Sequence, residues 1–182
     1  LVENINNKLN DEEILIIKEA ENLLINERKK RVKPFFDDKV QTDLNCYWLY
    51  SNLYSSIILD DNELYSKTIT KIQLINEKLK TNIFHCYDKN KNEIDVFLED
   101  YVYYALLLIS MYELNNDKES LEKCKRIMED IWNLFFNKDY NLLQKNIFSS
   151  NDLFVNPVDI GDNNIPNGNS IYLIICSKLN NI

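Results

Sequence analysis

Three short stretches put acids, amides and a cation at the starts of apolar runs, positions from which a helix can present chemistry to a ligand. In RVKPFFDDKVQTDLN, Arg31 to Asn45, the adjacent carboxylates of Asp37 and Asp38 stand beside the ammonium of Lys39, with the amide of Asn45 further on. Neighbouring carboxylates next to a cation can hold a metal or a cationic group, or have their pKa values split so that one acts as acid and the other as base. The structural alternative is that Thr42 or an Asp caps the following helix, with acids suiting its positive end and Lys39 as counter-charge. In FLEDYVYY, Glu99 and Asp100 open a run that otherwise excludes charge. Successive helical residues point about 100° apart, so at least one of the pair is expected to face inward, where a carboxylate needs a partner or a function. In DNNIPNGNSIYLII, Pro166, Asn167 and Gly168 spell a turn, and Asn169 or Ser170 can cap a helix. A glycine set between asparagines, in a chain with only two glycines, implies a required backbone conformation. That conformation either serves the fold or aims N–H groups and the Asn169 amide at a ligand.

His85, the single histidine, lies in NIFHCYDKN ahead of the FLEDY run. Its type suits acid/base work, while its neighbours Phe84 and Tyr87 suit a packed loop residue. Tyrosines such as Tyr101 can stack on sugar rings or simply fill a core. A metal is the least supported reading, because the Asp37–Asp38 stretch holds no histidine and no ligand spacing completes a shell. Neither metal nor cofactor is expected. The four cysteines, Cys46, Cys86, Cys124 and Cys176, form no C-x-x-C pair and read as reduced, mostly buried thiols of a cytoplasmic protein. A net charge of −8 repels phosphate backbones, and the densest basic run, ERKKR, falls at a helix end where cations suit the dipole, so nucleic acid is not an expected partner. The longest apolar run, Tyr101 to Tyr112, is far short of the about 20 residues that span a bilayer, and no membrane association is expected.

The elements that must carry these residues read as six helices of two kinds. Those over about Asp11–Arg31, Glu63–Lys80 and Lys118–Phe136 are striped, with one apolar face each. Those over Thr42–Leu59, Leu98–Leu114 and from Ser170 onward are apolar nearly all round. A striped helix faces one layer and an all-round apolar helix must be enclosed, so outer and inner helices alternate. Inner helices are followed by the short turns LDDNE and LNNDK, outer ones by long segments holding every proline and both glycines. The reading is an all-α fold of about three helical hairpins, part of an (α/α)6 toroid whose long loops share one rim. A closed ring would need roughly twice this length. A helical solenoid or bundle is the alternative. The absence of a methionine at Leu1 suggests a segment of a longer protein.

With these motifs in view, the chain resembles the thioredoxin-domain-containing family typified by bacterial YyaL and by spermatogenesis-associated protein 20. The resemblance rests on Arg-x-x-Pro-x-x-Asp-Asp-Lys-Val-x-Thr at Arg31 to Thr42 with Asn45 beyond, Leu-Glu-Asp-Tyr at Leu98 to Tyr101, and Pro-x-Gly-Asn-Ser at Pro166 to Ser170. It implies a six-hairpin glycosidase-like toroid, similar also to that of N-acylglucosamine 2-epimerase, of which residues 1–182 would be a middle part of one domain. The remaining hairpins and a thioredoxin-like domain would then be this segment's partners in the full-length protein. The chain departs from the family pattern at Leu44, Cys46 and Asn167, where a tryptophan, a glycine and a serine are usual, and in NKDYNLL, where a Gly-rich aromatic turn is usual.

The expected activity is acid–base chemistry of the epimerase, isomerase or glycosidase kind on a small carbohydrate at the long-loop rim. Asp37, Asp38, Glu99 and Asp100 are its catalytic candidates, and Lys39, Asn45, Tyr101, Asn169 and His85 its binding candidates. The alternative is a non-catalytic scaffold or partner-binding module attached to a thioredoxin-like redox domain, in which the same acids cap helices and pair with Arg31 or Lys39.

Overall fold

A computed structural model describes residues 10–87, 96–147 and 157–182. The fold is all-α, and the chain divides into two compact units, one ending at Asp37 and one running from Asp38 to Ile182. In the first unit, α1 (Asp11–Lys29) starts on a reciprocal cap: Asn10 Oδ1 accepts from the Glu13 N–H, and the Glu13 carboxylate accepts from the Asn10 N–H, both at 2.8 Å. None of its residues is buried.

The second unit holds α2 (Thr42–Ile58), α3 (Asn62–Lys78), α4 (Leu98–Asn115), α5 (Lys118–Phe135) and α6 (Gly168–Asn180). Two small antiparallel ladders join them, β1 (Val40–Gln41) with β2 (Cys86–Tyr87), and β3 (Phe136–Asn137) with β4 (Leu142–Leu143). The centre is α4. Its run from Val102 to Met111 has no polar face and is buried throughout, against α2, α5 and α6.

Side-chain contacts at both ends show that α2, α4 and α6 run parallel. At the start, the Asp43 N–H of α2 meets the Asp100 carboxylate of α4, and the Tyr103 hydroxyl of α4 donates to the Pro166 carbonyl just ahead of α6. At the far end, the Glu113 carboxylate of α4 accepts from Tyr54 of α2 at 3.0 Å and from Lys178 of α6 at 2.6 Å. α3 packs on α2, and α5 packs on α4. Both hairpin turns use the same chemistry. Asp60 and Asn116 take the left-handed conformation at φ 54°, which Asp and Asn tolerate, and Asp61 and Asp117 then cap the next helix.

Three expectations change in detail. α2 and α6 are not enclosed on every side, since Trp48 is 47% and Leu173 66% exposed. The cap of α6 is Asn167, which accepts from the Ser170 N–H, so the helix starts two residues before Ser170. Gly168 does not have a positive φ. Its requirement is closeness, because a β-carbon there would lie 2.6 Å from Leu98 Cδ2 and 2.7 Å from Leu98 Cγ. The four cysteines are free thiols, and Cys46, Cys86 and Cys124 are buried. Burial pushes the Cys46 thiol well above its usual range, with Asp100 and Asp43 adding to the rise. No helix among the described residues is long and apolar enough to cross a membrane.

Candidate functional site

The parallel starts of α2, α4 and α6 and the loops that lead into them form one face of the second unit. The β1–β2 ladder sets His85 beside it. Gln41 pairs with Cys86, the Thr42 N–H donates to the His85 carbonyl at 2.9 Å, and the Thr42 hydroxyl donates to the Phe84 carbonyl. Thr42 therefore anchors the histidine loop and does not cap its own helix. The N-cap, Gln41, makes no side-chain cap bond.

The missing cap comes from α4. Asp100 is 0% exposed, and its two oxygens divide the work. Oδ2 accepts from the Phe97 N–H at 2.8 Å and closes the start of its own helix. Oδ1 accepts from the Asp43 N–H at 3.2 Å and closes the start of α2. One carboxylate thus satisfies orphan donors on two helices. His85 Nδ1 lies 3.1 Å from Oδ1 and 3.2 Å from Oδ2, and the ring packs edge-on against Phe97 at 4.6 Å. His85 Nε2 lies 3.4 Å from the Gln41 side-chain nitrogen. Both contacts fit one tautomer, with Nδ1–H donating to Asp100 and Nε2 accepting from Gln41. Burial pushes the Asp100 carboxyl up to about 6, the Phe97 N–H and His85 pull it down, and the Asp43 carboxylate adds to the rise.

Beside this pair lies a cleft of about 300 Å³, whose walls include Asp43, His85, Phe97, Glu99, Lys145 and Asn167. Glu99 is the residue in it that the fold leaves unsatisfied. Its Oε2 is buried and has no hydrogen-bond partner. Burial raises the Glu99 carboxyl above the usual range, its own backbone N–H and Lys145 oppose that, and Asp43 and Asp159 reinforce it. A carboxyl held toward its neutral form at the wall of a polar cleft can donate a proton.

The remaining candidates stand elsewhere. Asn45 turns its amide to the Gln41 carbonyl at 2.7 Å. Asn169 is a backbone clamp: its Oδ1 accepts from the Leu143 N–H and its Nδ2 donates to the Leu143 carbonyl, both at 2.9 Å, with a further bond to the Asp159 carbonyl. Tyr101 sits in a different groove, its ring edge against Phe135 at 5.4 Å. Asp37, in the first unit, and Asp38 and Lys39, in the second, are exposed, and each interacts with another group. Asp38 and Lys39 are not among the residues that line the cleft.

Sequence reasoning did not single out Asp43 or Lys145. The place of Asp43 in the first turn of a helix is visible in TDLN, but its nearness to His85 depends on the β1–β2 register. Asp43, His85 and Asp100 each offer one ligand atom within 4.8 Å of the others, a set that could hold a divalent cation. Metal binding there would require His85 Nδ1 to give up its proton and its contact with Asp100. No protein-family model matches this chain, and no curated protein is significantly similar to it.

Proposed function

We propose that the cleft binds a small polyhydroxylated ligand of carbohydrate type and carries out general acid–base chemistry on it, in the manner of a sugar isomerase or a glycosidase. The observation that carries this reading is Glu99, whose side chain lines the cleft while one of its carboxyl oxygens is buried without a hydrogen-bond partner. In water or in a capping role that oxygen would be satisfied, and leaving it bare costs about 1–3 kcal/mol, which a turn of the carboxyl into the cleft toward a ligand hydroxyl would recover. Glu99 is the proton donor in this scheme. His85, with Nδ1 held by Asp100, is the group that takes a proton at Nε2 once a substrate displaces the long Gln41 contact. Asp100 positions the histidine and touches no substrate.

The larger frame is the expected α/α toroid of a thioredoxin-domain-containing protein. Three parallel helices side by side, each of the first two carrying its hairpin partner, support that arrangement, as does the gathering of long loops at one end. A second reading, a non-catalytic scaffold, is favoured by Asp100 and Asn169, whose polar atoms are taken up by the protein's own backbone.

The test is a screen of the chain against reducing sugars and glycosides, with Glu99→Gln and His85→Gln beside the wild type. The proposal expects turnover in the wild type and a loss of about 100-fold or more in each variant, with helical content unchanged. Turnover that survives both substitutions would remove the cleft from the chemistry. Absence of both turnover and saturable binding leaves the scaffold as the function of this segment.

A further inference from the structure

A second concavity, about 720 Å³, lies on the other side of α4 between the end of α3 and the outer helix α5. Among the described residues that line it are three cations, Lys80 just beyond α3 and Lys123 and Arg126 on α5, against one carboxylate, Asp130. Lys123 and Arg126 are three residues apart and Asp130 four further on, a spacing that puts them on one face of the helix.

Lys123 is the innermost of the three. Its ammonium donates to the Tyr104 hydroxyl and lies 4.9 Å from that ring's centroid, while the Tyr104 hydroxyl donates to Asn76 Oδ1 at 2.8 Å. A neutral phenol on the floor of the groove therefore holds the ammonium directly, and Glu119 acts on it only from beyond ion-pair distance. Partial burial lowers the Lys123 pKa, the Glu119 carboxylate one turn back on α5 opposes that, and Arg126 and Lys80 lie close enough to lower it further. Among the described residues, no carboxylate is within ion-pair distance of Lys80, Lys123 or Arg126. Elsewhere in the second unit, Lys67, Lys125 and Lys178 each hold a glutamate. In a chain of net charge −8, three cations gathered in one concavity, none of them ion-paired among the described residues, make a local positive field that an anion from outside would neutralise.

We propose that this groove binds a small organic molecule through a phosphate monoester. A phosphate dianion matches the local excess of cations, and the Arg126 guanidinium offers paired donors that fit its oxygens. The concavity is far larger than a phosphate group, so the rest of the molecule lies along Tyr101, Ile127 and Leu134, with Asp130 open to its hydroxyl groups. Nucleic acid is excluded by the same charge balance, because the overall field repels a long polyanion while the local cations still hold one dianion.

Phenyl phosphate and inorganic phosphate are the probes, titrated into the whole chain by calorimetry. Saturable binding of both is expected, tighter for phenyl phosphate because its ring uses the groove wall. Lys123→Met and Arg126→Gln are each expected to weaken phenyl phosphate by about tenfold or more, the loss of one charge-assisted contact. Lys125→Met, which removes the same charge from the same helix but outside the groove, is expected to leave binding unchanged. Arg126 is exposed, so Arg126→Gln tests the site even if Lys123→Met disturbs Tyr104. The site is overturned if the wild type does not saturate with millimolar phenyl phosphate. It is equally overturned if Arg126→Gln binds as the wild type does, or if Lys125→Met weakens binding as much as Lys123→Met.

Discussion

At the residue scale the molecule turns on Asp100, which caps its own helix, caps α2 from outside and orients His85. Replacing it with asparagine leaves one acceptor oxygen for two backbone N–H groups that now use different oxygens. One of them would face an amide NH2, so Asp100→Asn is expected to lower stability near neutral pH by about 1–3 kcal/mol, read as a shift in the denaturant midpoint. The acid dependence carries a second signature. Burial raises the Asp100 pKa from 3.8 to about 6, so the folded chain holds this proton more tightly than the unfolded one. The contribution is fully present below the ordinary value of 3.8 and is lost as pH rises through about 6. Glu99, raised by burial as well, contributes with the same sign above its ordinary value. Stability should therefore fall with rising pH across that window, and less steeply in Asp100→Asn; equal slopes in the two proteins would show that Asp100 does not titrate there. The inward-facing acid of FLEDY was legible in the sequence, because two adjacent acids cannot both avoid the core of an otherwise apolar helix. The partnership with His85 was not, because it links residues fifteen apart through a ladder too short to leave a period-two pattern.

At the element scale the sequence reads well where the chain caps itself. Asp61 and Asp117 start α3 and α5 within a residue of expectation, and the apolar run of α4 predicts a buried helix of nearly the observed length. It reads less well where caps come from afar. Asp100 replaces Thr42 as the cap of α2, and Asn169 mimics a strand partner for Leu143 instead of starting α6. Gly168 looked like a turn glycine and is instead a contact glycine. Gly168→Ala should then destabilise the fold by about 1–3 kcal/mol, since the methyl group meets the body of a side chain only 2% exposed, and Tm should fall by several degrees. Leu98→Ala also destabilises by opening space, but the two changes should offset each other, so that the double variant is more stable than the sum of the single effects predicts. Additive losses would show that Gly168 is needed for its backbone and not for its closeness to Leu98.

At the scale of the whole molecule, the parallel row α2, α4, α6 is backed by α3 and α5, yet α6 keeps an apolar side open. Leu173 is 66% and Ile174 46% exposed on consecutive positions, where further hairpins of the proposed toroid would lie. Burying one such side chain contributes about 1.5–3 kcal/mol relative to leaving it in water, enough to drive association once charge repulsion is weakened. The chain carries a net charge of −8, and salt screens that repulsion over a Debye length of about 8 Å at physiological ionic strength. Self-association should consequently increase with salt, opposite to an assembly held by ion pairs, and sedimentation velocity at low and high salt measures it. A variant carrying both Leu173→Lys and Ile174→Lys has a net charge of −8 + 2 = −6, so its self-repulsion is smaller than that of the wild type. If the apolar side of α6 drives association, this variant should nonetheless associate more weakly by about tenfold or more, with its helical content intact. Association as strong as the wild type's would place the contact on another surface and would leave α6 open without consequence for the isolated chain.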